Sequence, residues 1–232
     1  MDIKDLKSAV YDLGLVLDDA QLERLDRYKL LLQKKNEVMN LTAITDDSGI
    51  YEKHFYDSLL SIRYVDYQGE LCDVGSGAGF PGLVLKIAYP KLKVTLVEPI
   101  KKRCDFLLEV IEDLKLQDVE VVNKRAEDYV KERRESYDLV TARAVKNLNI
   151  LSELCVPLIK VGGRFIILKG SSGFDELKSA KRALELLGTK EEEVIKTNLL
   201  SGDTRIIAIY EKIKKTDKKY PRNYSMIDKR PL

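Results

Sequence analysis

The decapeptide Asp73-Val74-Gly75-Ser76-Gly77-Ala78-Gly79-Phe80-Pro81-Gly82 limits the folds open to this chain more than any other stretch. The apolar run at residues 71–74 reads as a strand leading into it. Residues 81–88 read as a helix, with Pro81 tolerated in its first turn. Strand, glycine-rich turn and helix in that order form the first unit of a wound α/β sheet, whose ligands lie at the carboxyl ends of the strands. Glycines at such a turn let the backbone bend sharply and approach a ligand with no Cβ in the way. The dinucleotide spacing GxGxxG is present only when counted from Gly77. Counted from Gly75, the first glycine after the strand, its third position is Phe80. The full pattern is therefore an acid followed by GxGxG.

The rest of the chain alternates in the same way. Residues 94–97, 119–123, 137–141 and 164–168 read as strands two to five, the fifth following a Gly162-Gly163 turn. Helices are expected over residues 101–115, 148–159 and 175–187. Residues 193–196 and 204–210 read as a closing antiparallel pair. The first 65 residues differ: an apolar stripe at Leu22, Leu25, Tyr28, Leu31, Leu32 and Val38 predicts a long helix capped by Asp18 and Gln21. Shorter helices are expected before Gly14 and over residues 50–64. The expected fold class is α/β: a doubly wound, mostly parallel, seven-stranded Rossmann-like sheet with an N-terminal helical extension. The extension covers residues 1–65, the core residues 66–212 and a basic tail residues 213–232.

Composition excludes several classes. No run approaches the roughly 18 apolar residues of a membrane span. Charges at Asp2, Lys4 and Asp5 stand where a signal peptide needs its apolar core, so export is not expected. Cys72, Cys104 and Cys155 have no CxxC or metal-ligand spacing and read as reduced, partly buried thiols of a cytoplasmic protein. The net charge of +2 conceals an asymmetry: residues 212–232 hold eight Lys or Arg and two Asp, a local net of +6. That is either a solubilising, frayed terminus or a footprint for a polyanion.

The acid before the glycines favours S-adenosylmethionine (AdoMet) over a pyrophosphate, because AdoMet carries an ammonium and a sulfonium that Asp73 can neutralise. Glu98, at the end of the second strand, is placed to accept hydrogen bonds from both ribose hydroxyls. Arg125-Ala126-Glu127-Asp128, after the third strand, is placed to flank an adenine. Gly75, Gly77, Gly79 and Phe80 complete the expected cofactor contacts. Arg143, just beyond the fourth strand, stands where cofactor and target meet. His54 and Asp57, one helical turn apart, read as a clamp for the helical cap. By itself, this pattern leaves open a small-molecule, protein or nucleic-acid methyltransferase, or a non-catalytic RNA-binding protein on the same fold.

Asn40-Leu41-Thr42-Ala43-Ile44, His54-x-x-Asp57-Ser58-Leu59, residues 73–82, Lys102-Arg103, Ala142-Arg143-Ala144-Val145, Lys169-Gly170 and Tyr220-Pro221-Arg222 occur in this order. In that arrangement the chain resembles the RsmG (GidB) family over nearly its whole length. The resemblance implies a methyltransferase sheet and an enzyme that transfers the AdoMet methyl group to guanine N7 in 16S rRNA of the small ribosomal subunit, near the decoding centre. It also implies AdoMet contacts at Gly75, Phe80, Ala126, Glu127 and Arg143. No coiled-coil pattern suggests more than a monomer. Two departures stand out: the tail has residues 223–228 where the family has Gly-Thr-Pro after Tyr-Pro-Arg, and Pro99 replaces a common Ser. Guanine N7 is an exposed lone pair that needs no deprotonation, so a single histidine, His54, is no obstacle. Arg143 is then the candidate catalytic residue. Lys102, Arg103, Lys169, Arg205 and Arg222 are the candidate substrate contacts, with further tail phosphate contacts expected at Lys218, Lys219 and Arg230.

Overall fold

A computed structural model describes residues 1–65, 68–143 and 146–232. The sheet contains β1 (Glu70–Val74), β2 (Lys93–Val97), β3 (Val119–Val122), β4 (Tyr137–Ala142), β5 (Ile159–Lys169), β6 (Thr189–Asn198) and β7 (Thr204–Lys212), in the order β3-β2-β1-β4-β5-β7-β6. The first five strands run parallel, and β7 is antiparallel to both β5 and β6. Strand order reverses between β1 and β4, so the carboxyl edge there opens a crevice for ligands.

Period-two alternation sends side chains to two separate cores. Leu139, Ile166, Leu168, Ile207 and Ile209 join the cluster on one face, and Val140, Phe165, Ile167, Ile206 and Ala208 join the other. The first face is covered by α1 (Ile3–Asp12), α2 (Asp19–Met39), α5 (Gly82–Ala88) and α6 (Lys101–Asp113). The second is covered by α7 (Ala126–Arg133), α8 (Leu148–Cys155), α9 (Gly173–Leu187) and α10 (Tyr224–Lys229). The N-terminal helices thus share one core with the sheet. Asp18 and Gln21 form the expected reciprocal capping box, and the Gln21 side chain also donates to the Ile87 and Ala88 carbonyls, fastening α2 to the end of α5.

Three elements differ from expectation. The helix expected over residues 50–64 is a short turn, α3 (Asp47–Gly49), a π-helix at Ile50–Tyr56 and a second turn, α4 (Asp57–Leu59). The helix expected over residues 148–159 stops at Cys155 and tightens into a 3₁₀ turn at Val156–Leu158, where Pro157 cannot supply an amide for continued α-helix. The strand expected after Gly162-Gly163 begins at Ile159 and runs through both glycines. A Cβ on Gly163 would lie 2.6 Å from the Asp138 carbonyl, so glycine lets β5 approach β4 instead of ending it. The described residues include no helix long and apolar enough to cross a membrane, and no cluster of metal-ligating side chains. All three cysteines are free and buried.

Candidate active site

Beyond Val74 the chain turns through Gly75, Gly77 and Gly79, at φ 71°, 58° and 97°, a region that only glycine enters without strain. The Gly75 and Ser76 amides donate to the Val97 carbonyl at the end of β2. The glycines then meet different demands. A Cβ on Gly77 would have nothing nearer than the Gly75 carbonyl at 3.9 Å, so that face is open. A Cβ on Gly79 would lie 2.5 Å from the Tyr28 hydroxyl and 2.7 Å from Leu83. One on Gly82 would lie 2.6 Å from Leu96 and 2.9 Å from Asp73, so glycine lets α5 pack down on the sheet.

Asp73, expected to neutralise the cationic groups of AdoMet, is fully buried and does not line the cavity. Its Oδ2 accepts the Gly82 amide at 2.9 Å, bracing the loop against the helix, while Oδ1 has no partner in the protein. Burial pushes its pKa up to about 7, against the pull of the Gly82 amide and the Arg143 guanidinium. Glu98 is buried at the end of β2. Its oxygens accept the Gly77 and Ile100 amides, each at 2.9 Å, and Arg103 Nη1 lies 3.9 Å away.

Behind the loop, Tyr28 of α2 donates its hydroxyl to the Ala78 carbonyl and stacks on Phe55 and Phe80. The apolar spacing predicted Tyr28 as a core residue. Nothing in that spacing tells a tyrosine that supports a loop from one that only packs.

Arg143 is the hub of the site. Its guanidinium lies 4.8 Å from the Phe80 ring centre and donates to the Lys53 carbonyl (3.1 Å), His54 Nδ1 (3.1 Å) and, at 3.5 Å, Asp57. Arg205 completes the cluster at 2.8 Å from Asp57. His54 and Asp57 therefore meet through Arg143, the π-helix bringing His54 to it and the start of α4 bringing Asp57. Ala144 and Val145, the remainder of the Ala-Arg-Ala-Val motif, lie outside the described residues.

A cavity of about 410 Å³ opens at the carboxyl edge of β1, β2 and β4. Gly75, Ser76, Gly77 and Ala78 form its floor, with Phe80, Glu98, Ile100, Arg103, Arg143, Thr42 and His54 around it. Ala126 and Glu127, the first residues of α7, are buried outside this wall, and Lys102 is exposed on α6. A second cavity of about 430 Å³ shares Arg143 and Lys146 with the first and is lined by Asp57, Lys169 and Arg205. Lys169 is committed to the Lys146 carbonyl and Glu176.

The tail is not frayed. Arg222 makes a bidentate pair with the fully buried Glu153, and Ile227 is buried among the second core. Tyr224 lies between Arg125 and Lys146, its ring centre 5.2 and 5.6 Å from their charged groups. Arg222 is thus an internal anchor, where the sequence reading expected a free phosphate contact.

Residues 21–204 match the family model described as rRNA small subunit methyltransferase G, GidB. The chain belongs to that family. Proteins named ribosomal RNA small subunit methyltransferase G from Staphylococcus carnosus (strain TM300) and Ligilactobacillus salivarius (strain UCC118) are each 46% identical to it. The alignments cover 100% of this chain and 99% and 100% of the relatives. The fold is shared with the TYW2 protein of M. jannaschii in complex with AdoMet (TM-score 0.55, 18% identity, 74% of this chain and 80% of that one). It is also shared with a variant of the 16S rRNA (adenine(1408)-N(1))-methyltransferase from Catenulisporales acidiphilia (TM-score 0.53, 17% identity, 65% of this chain and 87% of that one).

Proposed function

We propose that this protein transfers a methyl group from AdoMet to N7 of one guanine in the 16S rRNA of the small ribosomal subunit, near the decoding centre, acting as a cytoplasmic monomer. The observation that carries the reading is the open cavity that joins the glycine loop, Glu98 and Arg143 at the switch point of the sheet.

The residues present fit AdoMet. Gly77 leaves its face free for a close backbone approach. Each Glu98 oxygen already accepts one amide and keeps a further lone pair, enough for the two hydroxyls of a ribose. Asp73 supports the loop from behind, its Oδ2 accepting the Gly82 amide, and does not line the cavity. When bound, AdoMet supplies an electrophilic methyl group on a sulfonium.

Guanine N7 attacks with a lone pair it already exposes, so the protein has only to align the reactants. The absence of a base suits His54, whose pKa burial and the neighbouring Arg143 push down to about 3. Arg143 fixes the wall where base and cofactor meet. Arg205, in the adjoining cavity, receives the target nucleotide and Lys169 fixes the wall of that cavity, while Lys102 and Arg103 on α6 offer phosphate contacts and Arg222 contributes by fixing the tail.

Incubation with labelled AdoMet and unmodified small subunits should place the label in N7-methylguanine at one position. RNA affinity should fall steeply with salt. Label confined to protein or small molecules would overturn the proposal.

A further inference from the structure

Thr42 is held on three sides. The Asn36 side-chain oxygen accepts its amide at 2.8 Å, and its own Oγ1 accepts the Ile44 amide at 3.0 Å. The third contact joins Oγ1 to His54 Nε2 at 2.9 Å. The direction of that bond is assigned from the other ring nitrogen, whose hydrogen-bond partner is an obligate donor. Arg143 Nη2, which has only hydrogens to offer, lies 3.1 Å from His54 Nδ1, so Nδ1 accepts. The ring is neutral, its pKa pushed down to about 3 by burial and by Arg143, so its one proton sits on Nε2 and points at Thr42. Both acceptor positions of the hydroxyl are thereby filled. Its own hydrogen goes to no described residue, and Thr42 faces the cavity beside Phe80 and Arg143.

We propose that Thr42 is a donor-only hydroxyl, held in that state by His54, that binds an acceptor oxygen of the reactants in the cavity. This rests on the reading that the reactants are AdoMet and guanine. Two oxygens have the required chemistry: the carboxylate of the AdoMet methionine, and guanine O6, which neighbours the attacked N7. At O6 the same hydroxyl would also set specificity. Adenine presents an amino group there, and a hydroxyl with no lone pair left cannot accept from it.

Thr42→Val removes the hydroxyl at nearly constant shape, and Thr42→Ser restores it. If the carboxylate is the partner, calorimetry should show the AdoMet Kd rising about tenfold in Thr42→Val and returning to within about twofold of wild type in Thr42→Ser. If O6 is the partner, the Kd should hold, kcat/KM on small subunits should fall about tenfold, and subunits carrying adenine at the target position should be excluded less strictly. His54→Phe keeps a ring against Phe80 but deletes the Nε2 proton. It should weaken the same quantity, and the Thr42→Val/His54→Phe double variant should lose no more than the larger single loss. An unchanged Kd together with an unchanged kcat/KM in Thr42→Val overturns the proposal, as does a Thr42→Ser protein as impaired as Thr42→Val. Wild-type protein that yields no N7-methylguanine would instead defeat the guanine reading, and the calorimetric comparison would still decide the role of Thr42.

Discussion

The glycine loop and the basic tail both stand out in the amino-acid sequence, but the fold uses them in opposite ways. In residues 73–82 each conspicuous residue has a local job: Gly75, Gly77 and Gly79 supply positive φ, and Gly82 admits a helix against a strand. In residues 213–232 the conspicuous charges have jobs that depend on residues far along the chain. Arg222 belongs to Glu153, and Lys212, just before the tail, is fully buried against the Val156 and Ile159 carbonyls and Thr216. Burial lowers the Lys212 pKa to about 8. A backbone requirement can be read from the residue that meets it, whereas a charge does not disclose its partner.

The largest effect that tests this contrast is in the tail. Arg222→Ala should cost about 3 kcal/mol in denaturant unfolding, because it leaves the Glu153 carboxylate buried without its partner. If Arg222 were a phosphate contact alone, stability would hold and only the salt dependence of RNA binding would change. In the loop, Gly79→Ala should cost about 2 kcal/mol or more and weaken AdoMet binding. A Cβ there meets Tyr28 and Leu83 in a conformation already unfavourable to it.

A third expectation concerns two buried titratable groups with opposite signs. His54 stays neutral in the folded protein, so between pH 6.5 and 5 the unfolded chain takes up a proton that the fold refuses. Acidification to pH 5 therefore removes about 2 kcal/mol. Asp73, with its pKa raised to about 7, takes up a proton in the fold that the unfolded chain refuses, so acidification over the same window adds stability. The melting temperature of the wild type should change little there. Asp73→Asn should unmask a fall on acidification, and His54→Gln a rise. Parallel profiles in all three proteins would rule out the opposed pair.

The smallest effects separate the open positions. Gly77→Ala should cost about 1 kcal/mol, from backbone conformation alone. Lys218, exposed in the tail, should leave stability within about 0.5 kcal/mol when changed to Ala. If it contacts phosphate, that change should reduce the salt slope of RNA binding by roughly one unit.

The strand-helix alternation, the Asp18–Gln21 cap, the glycine register and the place of Glu98 were legible because each depends on neighbours within a few residues or on periodicity along one element. Asp73 was legible as important but not in its role, since only packing shows that Gly82 takes one of its oxygens. His54, Asp57 and Arg143 could be named singly, but a π-helix running into α4 brings the first two onto the third, and no helical spacing predicts that insertion. Thr42 carries no signal beyond a short motif until the tautomer of His54 is known.

By itself, then, the sequence determined the wound sheet, the position of its ligand loop and the family to which the chain belongs. Those follow from backbone conformation, side-chain periodicity and motif order, all written along one dimension. Tertiary structure alone decided that Arg143 is a hub, that Arg222 is an anchor and that the hydroxyl hydrogen of Thr42 is left for the cavity. The physical reason is that hydrogen bonds and ion pairs join groups far apart along the chain, as in Arg205 with Asp57, 148 residues away. Their strength depends on burial, which the chain acquires only when folded.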